Sequence, residues 1–439
     1  MTIRTVTNNA IMRKYILILT FLPFAVGART QSTRPVTYEP RGQTGMSAER
    51  LRLLDTVLQQ AVDNKWAPGM EALVIRGGKV AYHKVFGSDD PASGKKLEMN
   101  AIYRVASQTK AITSVAVMIL YEQGKLLLDD PVSKYIPAFR NPKILDVYHP
   151  SDTSYSVIPA KKEITIRHLL THTSGLGYSQ IGDGALNEIY CKHRIPCGLG
   201  SQHRSLSEVM NELGTLPLAH EPGERFTYGL NVDVLGYIVE RVSGISLDAF
   251  FKRYIFGPLD MRDTYFYLPK EKYKRLVNLY IVDDSGVLVK SPGYFETSGS
   301  VLKDYPATEG SYYSGGAGLV STITDYAHFL QMLLDGGAYN GKRILSSTSV
   351  RLMTMNQIGP LLCHSQKFGL GFLVISAEGS ALTPQSEGTF GWGGAFSTVY
   401  WVDPRKKIIG LLYRQMWNDQ HEEELNGKFK ALVYQAVTE

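Results

Sequence analysis

The sequence predicts an α+β fold in which strands from both chain ends build one antiparallel sheet, flanked by terminal helices, around a mostly helical lobe. Two observations predict it. β-rich runs meet across turn residues near both ends: Glu71 to Arg76 and Lys79 to Phe86 across Gly77-Gly78, then Ala395 to Val402 and Ile408 to Tyr413 across Asp403-Pro404-Arg405. Between them helical spacing dominates, and residues 125–384 read mostly as helices and long loops. A seam between two such lobes is where a site is expected.

The elements follow in order. After Ser47, the residues Leu51, Leu54, Val57, Leu58 and Val62 fall at helical spacing, and Ala67-Pro68-Gly69 stops the run. A second helix starts at Ser107, with Ala111, Val115, Met118, Ile119 and Leu120 on one face and Gly124 at its end. Val232 to Val242 is a third, ended by Ser243-Gly244, and Thr324 to Leu334 a fourth, stopped by Gly336-Gly337. Glu422 to Val437 reads as the C-terminal helix.

The chain has 439 residues, 44% hydrophobic and 20% charged, enough to bury a real core. Its formal net charge is +6, and Arg4, Arg13 and Lys14 supply three of those charges within the first 28 residues, which hold no acid. The remaining 44 basic and 41 acidic residues nearly balance, and no basic run is interleaved with aromatics, so nucleic acid is not an expected partner. Arg13-Lys14, an apolar run from Tyr15 to Val26 and the small pair Gly27-Ala28 have the build of an export signal. The run is too short to span a bilayer core of roughly 30 Å as a helix. Residues 1–28 are therefore read as a signal peptide, 29–45 as a linker and 46–439 as the working domain, exported to the periplasm or secreted; an uncleaved anchor is the alternative. Three cysteines, Cys191, Cys197 and Cys363, do not make a disulfide scaffold or a metal site. Cys191 and Cys197 either close a small loop or stay as thiols.

Ser107-Gln108-Thr109-Lys110 carries the chemistry. Residues three apart share a helix face, so Lys110 is delivered beside the Ser107 hydroxyl. A serine needs a neighbour to take its proton before it attacks, and a desolvated lysine does this. Ser-x-x-Lys also occurs at Ser93/Lys96 and Ser300/Lys303, both in polar surroundings. Ser107 alone opens an apolar helix, whose backbone N–H groups favour a developing oxyanion.

The run Tyr103 to Lys110 (YRVASQTK) resembles the nucleophile segment of the serine β-lactamase-related family, which includes class C β-lactamases, D-Ala-D-Ala carboxypeptidases, D-aminopeptidases and esterases. Ile164 to Leu176 (ITIRHLLTHTSGL), Ser314 to Thr322 (SGGAGLVST) and Asp325-Tyr326 are similar to further segments of it, in the same order, and the likeness runs from about residue 47 to 435. The resemblance implies a β-lactamase/transpeptidase-like fold with a sheet lobe at about 46–100 and 385–439 and a helical lobe at about 101–384. It implies that Ser107 attacks, that Lys110 and Tyr228 manage the proton, and that the backbone N–H groups of Ser107 and Ala395 hold the oxyanion. No metal and no cofactor is implied.

Two departures bear on substrate. Lactamase-type members carry Tyr-x-Asn where this chain has Tyr228-Gly229-Leu230. Leu230 makes no hydrogen bond to an amide, and a one-residue slip turns Asn231 by roughly 100° on a helix. Where that family places Lys-Thr-Gly or His-Thr-Gly, this chain has Trp392-Gly393-Gly394, as in the esterase branch, with no charge to hold a carboxylate. With Leu230, Trp392, Gly393 and Gly394 as expected substrate contacts, the reading is a serine hydrolase of small esters or related acyl compounds. A β-lactamase or D-amino-acid peptidase on amide or lactam substrates is the alternative, and a catalytically silent binding module the non-enzyme one. His168 and His172 are read as structural. The segment 182–203 is either a roof over the site or a surface loop, and Tyr312 and Tyr313 are candidates for the pocket wall. No Gly-x-Ser-x-Gly elbow and no phosphate loop is present.

Overall fold

The computed structural model describes residues 36–38, 44–182, 184–200, 204–292, 305–362 and 364–438. The signal-peptide reading, most of the linker, the Ser300/Lys303 pair and Cys363 lie outside the described residues. The strands used below are β1 (Gly69–Arg76), β2 (Lys79–Asp90), β3 (Gln366–Phe368), β4 (Leu373–Ile375), β5 (Phe390–Gly394), β6 (Thr398–Asp403) and β7 (Ile408–Tyr413). The helices are α1 (Ala48–Asp63), α2 (Thr109–Glu122), α3 (Asn231–Ser243), α4 (Ile323–Leu334) and α5 (Glu422–Gln435).

The sheet runs β2-β1-β7-β6-β5-β4-β3, with Thr37–Tyr38 laid parallel outside β2. All seven named strands pair antiparallel. β7 pairs with β1 from Tyr413↔Glu71 to Ile408↔Arg76, so the two chain ends meet inside the sheet. Gly77 and Gly78 make the β1–β2 turn at φ +57° and +78°, a region glycine enters without a Cβ penalty.

Both faces of the central strands are covered, so their residues are mostly apolar and alternate in destination. Leu73, Ile75, Ile409, Leu411, Tyr400 and Val402 face the core that holds α2 and α4. Ala72, Val74, Ile408, Leu412 and Trp401 face the second core, with Leu54 and Leu58 of α1 and Phe429 and Val433 of α5. Trp401 lies so close to Gly410 that a Cβ there would sit 2.2 Å from the indole ring, which explains a glycine in the middle of β7. α2 is buried from Thr109 through Leu120, as expected of a helix that is apolar nearly all round. No described helix is long and apolar enough to cross a membrane.

Three expectations need correction. The strand expected at Ala395–Val402 starts at Thr398, because residues 395–397 turn the chain from β5 to β6 and Ser397 takes φ +56°. β3 and β4 extend the sheet from inside the stretch assigned to the helical lobe. At three residues each they are too short to display an alternation. The described part of the segment 182–203 is more than a plain surface loop. It carries a helix, Gly184–Lys192, and then buries residues 195–200. Cys191 and Cys197 are not joined: the Cys191 thiol donates to Ser179 O at 3.2 Å, and Cys197 is buried.

Candidate active site

Ser107 sits in a single 3-10 turn, Ala106–Gln108, that leads into α2. Ala106 has φ +43°, a strained value for a residue with a Cβ, and such strain persists only where the surroundings enforce it. They do so here through Gln108. Its carbonyl accepts the Tyr326 hydroxyl at 2.8 Å and its side-chain oxygen accepts the Tyr413 hydroxyl at 2.6 Å, tying the turn to α4 and β7. Thr109 Oγ1 donates to Ala106 O at 2.6 Å and accepts Leu319 N at 3.0 Å.

The residues expected to act together do meet. Lys110, 2% exposed, donates to Ser107 Oγ at 3.2 Å, to the Tyr178 hydroxyl at 3.0 Å and to Gly316 O at 2.8 Å. The Tyr228 hydroxyl donates to Ser107 Oγ at 2.8 Å and accepts Trp392 Nε1 at 3.4 Å. The Lys110 ammonium stands 4.7 Å from the centre of the Tyr228 ring, within cation–π range. A cage of rings fixes Tyr228: His172 at 4.8 Å, Trp392 at 5.4 Å and Tyr178 at 5.5 Å between centroids.

Gly394 ends β5 against the nucleophile turn, where a Cβ would fall 2.3 Å from Val105 O. That close approach requires glycine and brings Ala395 beside Ser107 at the edge of the same cleft. The cleft holds about 540 Å³, and Ser107, Tyr228, Ile181, Trp392 and residues 393–395 are among its lining. Glu422 and Lys430 of α5 also line it. A larger cleft of about 950 Å³, between Trp66, Tyr280, Leu288 and His421, contains none of the Ser-Lys-Tyr group and is not the place of this chemistry.

Leu230 is a correction. It is fully buried at the start of α3, its N–H bonds Gly177 O at 3.1 Å, and it does not line the cleft, so it is no substrate contact. Asn231 is committed elsewhere, with Nδ2 3.0 Å from His172 Nδ1 and its side-chain oxygen accepting Ser174 Oγ at 2.5 Å. His172 is fully buried, and burial, and then the charge of Lys110, hold its pKa well below the ordinary imidazole value. His168 closes a capping box with Thr165. Tyr312 and Tyr313 line no part of the Ser107 cleft. Among the described residues no group of three or more His, Cys, Asp or Glu side chains is placed to hold a metal ion.

Two partners of Lys110 were not foreseen, Tyr178 and the Gly316 carbonyl. Burial, and next the neighbouring Tyr228, push the Tyr178 phenol well above its usual pKa, so it stays protonated. Gly316 belongs to the Ser314–Thr322 segment, and Tyr178 follows Ile164–Leu176 by two residues. The resemblance thus marked both neighbourhoods without marking the atoms.

A model of the family described as Beta-lactamase matches residues 54–435. The chain belongs to the beta-lactamase family. Among relatives of this family member, the esterase EstB of Burkholderia gladioli is 31% identical over 381 residues, covering 84% of this chain and 90% of EstB. An uncharacterized protein of Mycobacterium tuberculosis is 32% identical over 370 residues, 81% of this chain and 87% of its own. Among solved structures, EstCE1, described as a hydrolase with promiscuous acyltransferase activity, superposes with a TM-score of 0.74 at 28% identity, over 88% of this chain and 99% of its own. The α+β, β-lactamase/transpeptidase-like fold expected from sequence holds, and this beta-lactamase-family chain is a serine hydrolase.

Proposed function

We propose that the protein cleaves esters of small acyl compounds, with Ser107 as the nucleophile. The observation that carries this is the Ser107 hydroxyl held between Lys110 Nζ and the Tyr228 hydroxyl at the floor of an open cleft. Ser107 Oγ attacks the ester carbonyl carbon while its proton passes to the Lys110–Tyr228 pair, along the Tyr228 contact with the proton direction reversed. The tetrahedral oxyanion sits against the N–H groups of Ser107 and Ala395, where one donor contributes on the order of 10²–10³ in rate. The C–O bond then breaks, Tyr228 returns the proton to the leaving alkoxide, and the acyl group stays on Ser107. Water repeats the sequence to release the acid, and an alcohol in its place gives acyl transfer. EstB is named an esterase and EstCE1 a hydrolase with acyltransferase activity, which supports this reading.

Trp392 supports esters over carboxylate-bearing lactams. It presents an indole ring and one N–H, and that N–H points at Tyr228 rather than at a substrate carboxylate. A short-chain nitrophenyl ester and a chromogenic cephalosporin should be followed side by side. Ester turnover at least about 100-fold above cephalosporin turnover in kcat/KM, equal to about 2.7 kcal/mol of transition-state discrimination, is expected. Equal or faster cephalosporin turnover would move the protein to the lactamase or peptidase reading.

Export belongs to the same proposal, supported by the charged, apolar and small-residue order of residues 13–28. N-terminal sequencing of the protein from its producing cell is expected to begin at Arg29, and a chain still starting at Met1 would refute cleavage.

A further inference from the structure

The three direct partners of Lys110 Nζ are all neutral: Ser107 Oγ, the Tyr178 hydroxyl and Gly316 O. One buried carboxylate stands behind them. Asp233, in the first turn of α3, is fully buried, and its Oδ1 accepts Ser314 Oγ–H at 2.6 Å. Ser314 Oγ in turn accepts Ala317 N–H at 3.0 Å. These two bonds close the turn that presents Gly316 O to Lys110. The turn has no slack. A Cβ on Gly316 would lie 2.2 Å from Asp233 Oδ2, one on Gly315 2.6 Å from Val232 O, and one on Gly198 2.5 Å from Ser314 Oγ.

Burying a carboxylate this deeply is costly, and an apolar residue in its place would pack without that cost. The groups around it leave one opposite charge. The Tyr178 and Tyr228 rings lie 5.6 Å and 4.7 Å from Lys110 Nζ, whose charge also acts on His172, while Tyr178, Tyr312, Cys197 and Lys110 share an electrostatic influence with Asp233. Burial holds the Tyr178 and Tyr312 phenols and the Cys197 thiol protonated, and His172 neutral. Burial also pushes Asp233 upward, against the downward pull of Ser314, Lys110 and the Gly316 backbone. Within this cluster Lys110 is the cation whose charge acts on Asp233, and the two meet through Gly316: its carbonyl accepts Lys110 Nζ at 2.8 Å, and its backbone N–H bonds Asp233.

We propose that Asp233 is a positioning residue for acyl transfer: through Ser314 it fixes the carbonyl that aims Lys110, and as a carboxylate it governs how readily Lys110 gives up its proton. This rests on the Ser107–Lys110–Tyr228 reading above. An anion nearby favours the charged form of a cation, and Ser107 activation needs the uncharged one. Asp233 therefore contributes to the acid limb of the rate profile, and Ser314 contributes to geometry alone.

The test compares Asp233→Asn and Ser314→Ala in kcat/KM for a nitrophenyl ester between about pH 5 and about pH 10, with circular dichroism to confirm folding. Asp233→Asn removes the charge with little change of shape, and its acid limb is expected to move to lower pH by about one unit. Ser314→Ala keeps the charge and loosens the turn, and is expected to lower kcat on the order of tenfold with the limb in place. An Asp233→Asn profile superimposable on the parent overturns the proposal. So does a Ser314→Ala enzyme with parental kcat, which decides the matter even where Asp233→Asn does not fold. Ser107→Ala and Tyr228→Phe run beside them. If those two keep their activity the underlying site reading fails; if they lose it while the Asp233 and Ser314 variants match the parent, only the role of Asp233 fails.

Discussion

Ser107→Ala is expected to lower nitrophenyl-ester turnover on the order of 10⁶-fold and to leave the thermal midpoint almost unchanged. The large effect follows from the acyl-enzyme: without Oγ there is no bond to form, and Lys110 and Tyr228 have no proton to move. What survives is whatever the oxyanion donors and binding supply to attack by water. The small effect on stability follows from position. Ser107 is half-buried at the cleft, and the turn it occupies is held by Gln108 and Thr109 rather than by its own hydroxyl. Turnover within tenfold of the parent, in protein shown to be intact by mass, would put the nucleophile elsewhere.

Tyr228→Phe is expected to cost on the order of 10³-fold in kcat/KM, carried by kcat rather than KM. The phenol oxygen touches both Ser107 Oγ and Trp392 Nε1, so its loss breaks the proton route and leaves the indole N–H without that acceptor. The ring contacts with His172, Tyr178 and Trp392 need no hydroxyl, so the fold should persist. A second signature separates proton delivery from mere packing. A nitrophenolate leaves without help, whereas an alkoxide must be protonated as it departs, so the loss should be larger on a simple alkyl ester than on the nitrophenyl ester. Equal losses on the two would assign Tyr228 to activation of Ser107 alone.

The parts of the molecule that were legible in the sequence are those with a repeating signal. α1 announced itself through Leu51, Leu54 and Leu58 on one face and Ser47 at its cap, whose Oγ accepts Arg50 N–H at 3.2 Å. The β1–β2 hairpin was marked by two glycines, both with positive φ. Ser107 and Lys110 were legible because three-residue spacing on a helix is a local fact, and Tyr228 because a family segment surrounds one tyrosine among 26. What failed to show was set by tertiary contact. β3 and β4 are three residues each, too short to display an alternation, and are strands because they add to the edge of the sheet at β5. Leu230 reads in the sequence as a missing amide partner and a substrate contact, but packing at the head of α3 buries it entirely. The Gly316 carbonyl left no trace, since a backbone oxygen carries no residue identity. Asp233 did leave one: a charged residue within a stretch of helix that is buried from Asn231 to Val239. Such an interruption of an apolar run points to a partner, and here the partner is Ser314.

The central claim is that one oxygen, Ser107 Oγ, becomes covalently acylated. The most direct measurement is intact and peptide mass analysis after reaction with a fluorophosphonate probe, on the parent protein and on Ser107→Ala. One adduct per chain, mapped to the peptide that contains Ser107 and absent from the variant, is the expected result. An adduct on another residue, or equal labelling of Ser107→Ala, would contradict it.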